Sequence, residues 1–243
     1  MICDGKVAIV TGAAGGGMGR SIALTLAREG AKVVVNYRTS RDHAKAIVSH
    51  IESRGGSAIA VQTDVFDADG CKTLVNMAVK HFNQVDICII GPGGSWHPQS
   101  IDKLDPTATL EDVHHETAPL FYLMPLILPD MYKRKWGRII GIALHPTKLP
   151  PAYSYNMGKA ARTQALLLAQ NQAWTNGVTV NIIAPSPVPA IKNLEEAIEQ
   201  CDHGPTWQKR TTTSPQDIAE SVAFLCSEAA RFITGCVIPF MSS

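Results

Sequence analysis

The feature that most constrains the fold is a regular alternation of short apolar runs with longer helical segments. The first apolar run, at 7–10, leads into a glycine-rich loop and then a helical segment at 18–29 that Gly30 ends. The later apolar runs lack polar alternation, as in parallel strands that are buried on both faces. Helices that alternate with such strands predict an α/β protein with a parallel sheet.

The predicted elements continue without interruption to the end of the chain. Strands are expected at 7–10, 32–36, 58–62, 86–90, 138–143, 178–184 and 236–240, and helices at 18–29, 40–53, 68–82, 111–134, 153–174 and 215–227. This series predicts a Rossmann-type doubly wound parallel sheet of about seven strands with helices on both faces. No linker, repeat or low-complexity tract divides the chain, so we expect a single domain over 1–243.

Composition and charge exclude several other classes of protein. The chain has 22 basic and 21 acidic side chains, so it lacks the positive charge typical of proteins that bind nucleic acids. Six scattered cysteines without C-x-x-C spacing, and eight histidines without H-E-x-x-H, favour reduced thiols and no catalytic metal. The apolar stretch at 118–129 is too short to span a membrane, and the N-terminus does not resemble a signal peptide. We therefore expect a cytoplasmic protein.

The loop at 11–20, Thr-Gly-Ala-Ala-Gly-Gly-Gly-Met-Gly-Arg, follows the first predicted strand. Glycines in this position let the backbone approach a pyrophosphate at the N-terminus of a helix. A glycine-rich turn without a ligand is the alternative, and the strand, loop and helix order favours the dinucleotide site. Gly12, Gly17, Met18 and Gly19 are the expected contacts.

Arg38 indicates which nicotinamide dinucleotide the site prefers. The second predicted strand has no carboxylate at its end to bind a ribose diol; Tyr37 occupies that position and Arg38 follows. A guanidinium there pairs well with a 2′-phosphate, so NADP(H) is the preferred cofactor and NAD(H) remains possible. The alternative is an exposed arginine without a ligand role.

Tyr155 and Lys159 are the candidate catalytic residues. A spacing of four places both side chains on one helix face, so the ammonium can lie beside the phenol and stabilise the phenolate. A phenol with a lowered pKa is a usable general acid or base for a carbonyl that is reduced by hydride. The Y-x-x-x-K pattern also occurs by chance in helices without a catalytic role.

With these motifs in this order, the whole chain resembles the classical short-chain dehydrogenase/reductase family. Its loop is similar to T-G-x-x-x-G-x-G with one residue added, and the segment 180–188 is similar to the family's P-G-P-V segment beside the nicotinamide. The resemblance implies Tyr155 as proton donor and Lys159 as its partner and ribose anchor. It also implies cofactor contacts from Asp64 and Val65 at the adenine, and from Gly91, Pro185 and Val188.

The chain departs from the family's pattern at several positions. The N-N-A-G segment reads Ile-Gly-Pro-Gly at 90–93, Leu144 stands where the catalytic serine is expected, and Glu116 stands where an asparagine is expected. His145 or Thr147 could supply the missing hydroxyl or donor, or could be ordinary loop residues. Glu116 could relay protons, or could be a satisfied carboxylate at the start of a helix.

The resemblance implies hydride transfer between a nicotinamide and a small carbonyl or alcohol substrate, with an enone or imine as variants that need less help from the missing serine. The alternative is a catalytically silent dinucleotide-binding protein with a regulatory or scaffold role. The segment 189–213 lies where the family has its substrate lid. An apolar excess at 120–128 favours a homo-oligomer, either a dimer or a tetramer, with a homotetramer as the specific expectation. The alternative for this stretch is plain burial in the core.

Overall fold

The computed structural model describes residues 1–94, 96, 98–144, 152–204, 210 and 212–240. Within these residues seven parallel strands form one sheet in the order β3-β2-β1-β4-β5-β6-β7. The strands are β1 (Val7–Val10), β2 (Lys32–Tyr37), β3 (Ala58–Gln62), β4 (Ile87–Ile90), β5 (Gly137–Ile142), β6 (Val178–Pro185) and β7 (Val237–Phe240). The predicted Rossmann-type doubly wound sheet is confirmed.

The helices connect successive strands and cover the sheet. They are α1 (Met18–Arg28), α2 (Arg41–Ser53), α3 (Ala68–Phe82), α4 (Pro106–Arg134), α5 (Tyr153–Trp174), α6 (Leu194–His203) and α7 (Pro215–Cys226). Among the described residues, two short 3₁₀ helices lie at Ile101–Lys103 and Glu228–Ala230. Among the described helices, none combines the length and the apolar character that a membrane crossing requires.

Apolar side chains on alternate positions of the strands divide the core into two layers. Ala8 and Val10 of β1 belong to the layer that packs against α1, α2 and α7, whereas Ile9 belongs to the layer that packs against α3, α4 and α5. Successive side chains of a strand point to opposite faces, so an uninterrupted apolar run supplies both layers. This explains why the predicted strands lack polar alternation.

The order of the strands reverses between β1 and β4, which pair in parallel with Val10 opposite Ile89. A crevice forms at such a reversal because the connections after the two strands lead to opposite faces of the sheet. The glycine loop follows β1 and the segment at 91–94 follows β4, so both meet at this crevice.

Two helices differ from the prediction. The fourth helix was expected to start at residue 111, but α4 begins at Pro106. Asp105 caps it by accepting hydrogen bonds from the backbone N–H groups of Thr107 and Ala108, and a proline at the first helical position favours the same start. The helix α6 was not predicted; it is capped by Asn193 and lies within the expected lid segment.

Candidate active site

The glycine loop packs closely against the segment that follows β4. Gly12 has a positive φ of 63°, and a Cβ added there would lie 2.6 Å from the side chain of Pro92. A Cβ at Gly19 would lie 2.7 Å from the carbonyl oxygen of Gly12. Side chains at these two positions would therefore force the loop, α1 and the β4 segment apart.

Asn36 supports the same loop, although the sequence analysis did not identify it. Its Oδ1 accepts a hydrogen bond of 3.1 Å from the Gly12 N–H, and its Nδ2 donates to the carbonyl oxygens of Val61 and Thr63 and to the Thr63 hydroxyl. The side chain is 2% exposed. A polar residue at the end of a predicted strand, directly after three valines, was the available signal, since a buried amide needs partners.

A cavity of about 310 Å³ lies between the loop and the ends of β2 and β3. Four of the predicted cofactor contacts line it: Gly12, Arg38, Asp64 and Val65. The Arg38 guanidinium lies 3.5 Å from the Asp64 carboxylate and is 62% exposed. The structure therefore brings the glycine loop, one cation and one carboxylate together around one cavity.

The remaining predicted contacts lie outside the lining of that cavity. Gly17, Met18 and Gly19 form the cap and first turn of α1, and Gly91 follows β4, where its N–H donates to the Thr11 hydroxyl over 3.0 Å. Pro185 ends β6, and Val188 is half-buried against the α1 layer. Among the described residues, no cluster of three or more His, Cys, Asp or Glu side chains could hold a metal ion.

Tyr155 and Lys159 both lie near the start of α5. The Lys159 Nζ is 5.3 Å from the centroid of the Tyr155 ring, and Lys159 is buried. Trp96 lies edge-on to Tyr155, with the ring centroids 5.2 Å apart, and is half exposed. The predicted pair is therefore on one helix face, with an aromatic ring beside the phenol.

The nearest carboxylate to Lys159 belongs to Glu116, which is fully buried. Glu116 Oε2 lies 3.2 Å from Lys159 Nζ and 3.1 Å from Arg162 Nη2, and its Oε1 accepts a 2.9 Å hydrogen bond from the Gly94 N–H. The expectation of a carboxylate at a helix start is wrong, because α4 begins at Pro106 and Glu116 lies well inside it. Glu116 instead joins α4 to α5.

Burial and the neighbouring Arg162 lower the pKa of Lys159 to about 8, although Glu116 acts in the opposite direction. Burial, followed by the charge of Glu116, raises the pKa of the Tyr155 phenol, and Arg162 partly offsets this. The expected lowering of the phenol pKa by Lys159 is therefore not found. The physical reason is that burial disfavours the phenolate and that the Glu116 carboxylate adds a negative charge nearby.

Arg162, which the sequence analysis missed, holds this end of the sheet together. Its Nε donates to the Glu116 carbonyl over 2.7 Å, its Nη1 donates to the carbonyls of Gly91 and Ile142, and its Nη2 donates to that of Pro92. The side chain is fully buried. An arginine three residues after Lys159, and so on the same side of the predicted helix, was the available signal.

Leu144, where the resemblance predicts a serine, follows β5 and is half-buried. The two candidate substitutes for that serine, His145 and Thr147, lie outside the described residues. In the described part of the site, the polar side chains around Tyr155 include those of Glu116, Lys159 and Arg162.

Comparison with known proteins identifies the family. The family model described as "Enoyl-(Acyl carrier protein) reductase" matches residues 12–240. Versicolorin reductase of Emericella nidulans is 32% identical, over 97% of this chain and 94% of that protein. The 7alpha-hydroxysteroid dehydrogenase of Escherichia coli (strain K12) is 34% identical, over 97% of this chain and 92% of that protein.

A solved structure supports the same assignment. The 7 alpha-hydroxysteroid dehydrogenase complexed with NADH and 7-oxo glycochenodeoxycholic acid superposes with a TM-score of 0.85 at 30% identity, over 98% of this chain and 93% of that one. This chain and that dehydrogenase therefore match in sequence and in fold over nearly the full length of both. The chain therefore belongs to the short-chain dehydrogenase/reductase family of oxidoreductase enzymes.

Proposed function

We propose that this enzyme transfers a hydride between a nicotinamide dinucleotide and a small carbonyl or alcohol substrate, and that it prefers NADP(H) over NAD(H). The observation that carries the proposal is the cavity that the glycine loop, Arg38, Asp64 and Val65 line together. Glycine backbone without Cβ atoms suits a pyrophosphate, and an exposed guanidinium suits a 2′-phosphate. The residues present therefore fit this cofactor.

The cofactor contacts extend from this cavity along the carboxyl edge of the sheet. The start of α1 would hold the pyrophosphate through Gly17, Met18 and Gly19, because the N-terminus of a helix favours an anion. Gly91, at the end of β4, together with Pro185 and Val188 after β6, would contact the nicotinamide half. Lys159 would contact the nicotinamide ribose.

The bound cofactor supplies or accepts the hydride, and the side chains of this chain handle the proton. Tyr155 donates its phenolic proton to the substrate oxygen during reduction and recovers it during oxidation. Trp96, half exposed and edge-on to the phenol at 5.2 Å, forms an apolar wall on the substrate side of Tyr155. An apolar or ring-containing substrate suits such a wall.

Leu144 and Glu116 make this enzyme a divergent member of its family, in which the usual catalytic serine and asparagine are replaced. Without the serine, the substrate oxygen has one hydrogen-bond donor fewer, and loss of such a donor costs about a hundredfold in rate or more. An activated enone or an imine needs less of this stabilisation, so both belong in a substrate screen.

The proposed enzyme has a single domain with a lid and forms a homo-oligomer. The whole chain, 1–243, acts as one catalytic domain, with the segment 189–213 as a lid that includes α6. Apolar side chains on α4 and α5, among them Phe121 and Leu168, are exposed in the single chain, which favours a homo-oligomer, with a homotetramer as the specific proposal. The site of action would be the cytoplasm.

The first experiment is a calorimetric titration of the purified protein with NADPH and, in parallel, with NADH. Tighter binding of NADPH supports the role of Arg38. Equal or tighter binding of NADH contradicts the preference for NADP(H) but leaves the proposed hydride transfer in place. Wild type and Tyr155→Phe are then compared in NADPH consumption with a panel of ketones, enones and imines. If Tyr155→Phe retains full turnover, the proposed role of Tyr155 is overturned. If the protein binds neither NADPH nor NADH, the proposed function is overturned.

A further inference from the structure

The segment 91–94 follows β4 and is held by the buried side chain of Arg162. Arg162 Nη1 donates to the Gly91 carbonyl over 3.1 Å, and its Nη2 donates to the Pro92 carbonyl. We propose that Arg162, with Glu116 as its counter-ion, is a positioning residue that fixes this segment as one wall of the dinucleotide site. The inference rests on the proposed function and adds a residue to its machinery.

The first support is that the segment cannot hold itself in place. The sequence at 90–93 is Ile-Gly-Pro-Gly, so none of its side chains can form a hydrogen bond, and Pro92 also lacks a backbone N–H. The strand β4 ends at Ile90, and the carbonyls beyond it find no partners in the sheet. Arg162 supplies these partners, and its Nη1 also reaches the Ile142 carbonyl of β5 over 2.8 Å. A guanidinium from α5 thus does what the two amide side chains of an N-N-A-G segment are not present to do.

The second support is that Glu116 binds both the guanidinium and the segment. Its Oε2 lies 3.1 Å from Arg162 Nη2, and its Oε1 accepts a 2.9 Å hydrogen bond from the Gly94 N–H. A Cβ added at Gly93 would overlap this carboxylate, and a Cβ added at Gly158 would lie 2.6 Å from Glu116 Cγ. Glu116 and Arg162 are both fully buried, so each charge depends on the other for compensation.

The third support is that the segment contacts the glycine loop and the cofactor cavity. A Cβ added at Gly12 would lie 2.6 Å from the Pro92 side chain, and the Gly91 N–H donates to the Thr11 hydroxyl over 3.0 Å. Pro92 and Gly93 also line the cavity of about 310 Å³ beside the loop. A displacement of the segment would therefore change the shape of the dinucleotide site.

The role of Arg162 is separable from that of Lys159. Lys159 Nζ lies 3.2 Å from Glu116 Oε2, whereas the hydrogen bonds to the Gly91 and Pro92 carbonyls come from Arg162. A guanidinium is planar and carries five donors, but an ammonium is a compact point charge. Arg162→Lys should therefore preserve the charge beside Glu116 without holding the segment.

The first measurement is hydrogen exchange of the Gly91, Gly93 and Gly94 amides in the free full-length protein. Arg162→Met should accelerate their exchange by about tenfold, because local opening of the segment then breaks fewer hydrogen bonds. Arg162→Lys should accelerate it as well, and this variant keeps the test informative if Arg162→Met does not fold. Lys159→Met leaves the hydrogen bonds of Arg162 in place and should leave the exchange unchanged.

The second measurement separates positioning from a general loss of stability. Calorimetry gives the dissociation constants of NADPH and of adenosine 2′,5′-bisphosphate, which lacks the nicotinamide half. Both Arg162 variants should weaken NADPH binding about tenfold and binding of the fragment about twofold or less, since the fragment lies against the ends of β2 and β3. Arg138→Met removes a buried guanidinium at the opposite end of β5 and should leave both affinities unchanged.

A double-mutant cycle tests Glu116 as the counter-ion. Urea unfolding is measured for Glu116→Gln, for Arg162→Met and for the double variant. Arg162→Met should lower stability less in the Glu116→Gln background than in the wild type, because the arginine has lost its anion there. Additive effects of the two changes would overturn the role of Glu116.

Three results would overturn the role of Arg162. They are unchanged amide exchange in both Arg162 variants, acceleration in Lys159→Met as large as in Arg162→Met, and equal proportional losses of affinity for NADPH and the fragment. If the wild type binds neither NADPH nor the fragment, the proposed function fails. Faster amide exchange in the Arg162 variants would in that case still assign the position of the segment to Arg162.

Discussion

The side chain of Asn36 supports the glycine loop, since its Oδ1 accepts a hydrogen bond of 3.1 Å from the backbone N–H of Gly12. Its Nδ2 bonds at the same time to the backbone after β3, and the Asn36 carbonyl accepts from the Ala13 N–H over 2.9 Å. The loop is therefore held by a strand that is remote in sequence. The buried amide of Asn36 is therefore one of the groups that fix the shape of the loop.

Replacement of Asn36 by alanine should weaken both the fold and the dinucleotide site. The change leaves the Gly12 N–H and nearby carbonyls without their partner, which costs about 1–3 kcal/mol in the free energy of unfolding. NADPH affinity should fall as well, because binding must then order the loop. Urea unfolding and calorimetry measure the two effects. Asn171→Ala, on the exposed face of α5, is the control, and equal behaviour of the two variants would refute the role of Asn36.

Gly158→Ala should destabilise the protein because the added methyl group takes space that Glu116 occupies. Its Cβ would lie 2.6 Å from Glu116 Cγ, and such overpacking costs about 1–3 kcal/mol. Gly17→Ala, whose Cβ would meet nothing within 4 Å, should cost less. In a double-mutant cycle measured by urea unfolding, Gly158→Ala should be better tolerated together with Glu116→Ala. Strict additivity of the two changes would show that the steric explanation is wrong.

Arg38→Met should reduce the affinity for NADPH while leaving the affinity for NADH nearly unchanged. A hydrogen bond between charged groups contributes about 1.5–3 kcal/mol, which corresponds to roughly ten- to a hundredfold in the dissociation constant. Calorimetric titration of both dinucleotides measures the difference. Arg41→Met, an exposed arginine at the start of α2, serves as the control. Equal losses for NADPH and NADH would exclude recognition of the 2′-phosphate by Arg38.

Arg54→Ala should increase local opening of α6 with little change in overall stability. Arg54 Nη2 lies 2.6 Å from the Asp202 carboxylate and joins the end of α2 to the end of α6. The pair is partly exposed, so its loss should cost at most about 1 kcal/mol in the free energy of unfolding. Hydrogen exchange of the α6 amides should become faster, since local opening needs less free energy than global unfolding.

Arg28 provides the comparison for that experiment. Its Nη1 donates to the carbonyl of Cys201 over 2.6 Å, so it also holds the end of α6, but it pairs in addition with Glu220 of α7. Arg28→Ala should therefore accelerate exchange in α6 and lower overall stability as well. Unchanged α6 exchange in Arg54→Ala would show that the Arg54–Asp202 pair does not hold the helix.

Local patterns in the sequence were sufficient to predict most of the sheet. The segments 58–62, 68–82 and 153–174 have the predicted bounds, because a buried strand or an amphipathic helix has a period that is visible within a few residues. The sequence analysis placed the start of α4 too late, although Asp105 and Pro106 are a recognisable local signal for a helix start. The helix α6 was harder to predict, since its short apolar face becomes buried only when it packs on α1 and α2.

The sequence by itself determined the alternation of strands and helices, the glycine loop and the shared helix face of Tyr155 and Lys159, because each depends on residues that are near neighbours in the chain. Only the tertiary structure decided which charges surround Lys159. Glu116 and Arg162 are 46 positions apart and meet because α4 packs against α5 at the end of β4 and β5. Burial strengthens the electrostatic interactions among these side chains, because water no longer screens their charges.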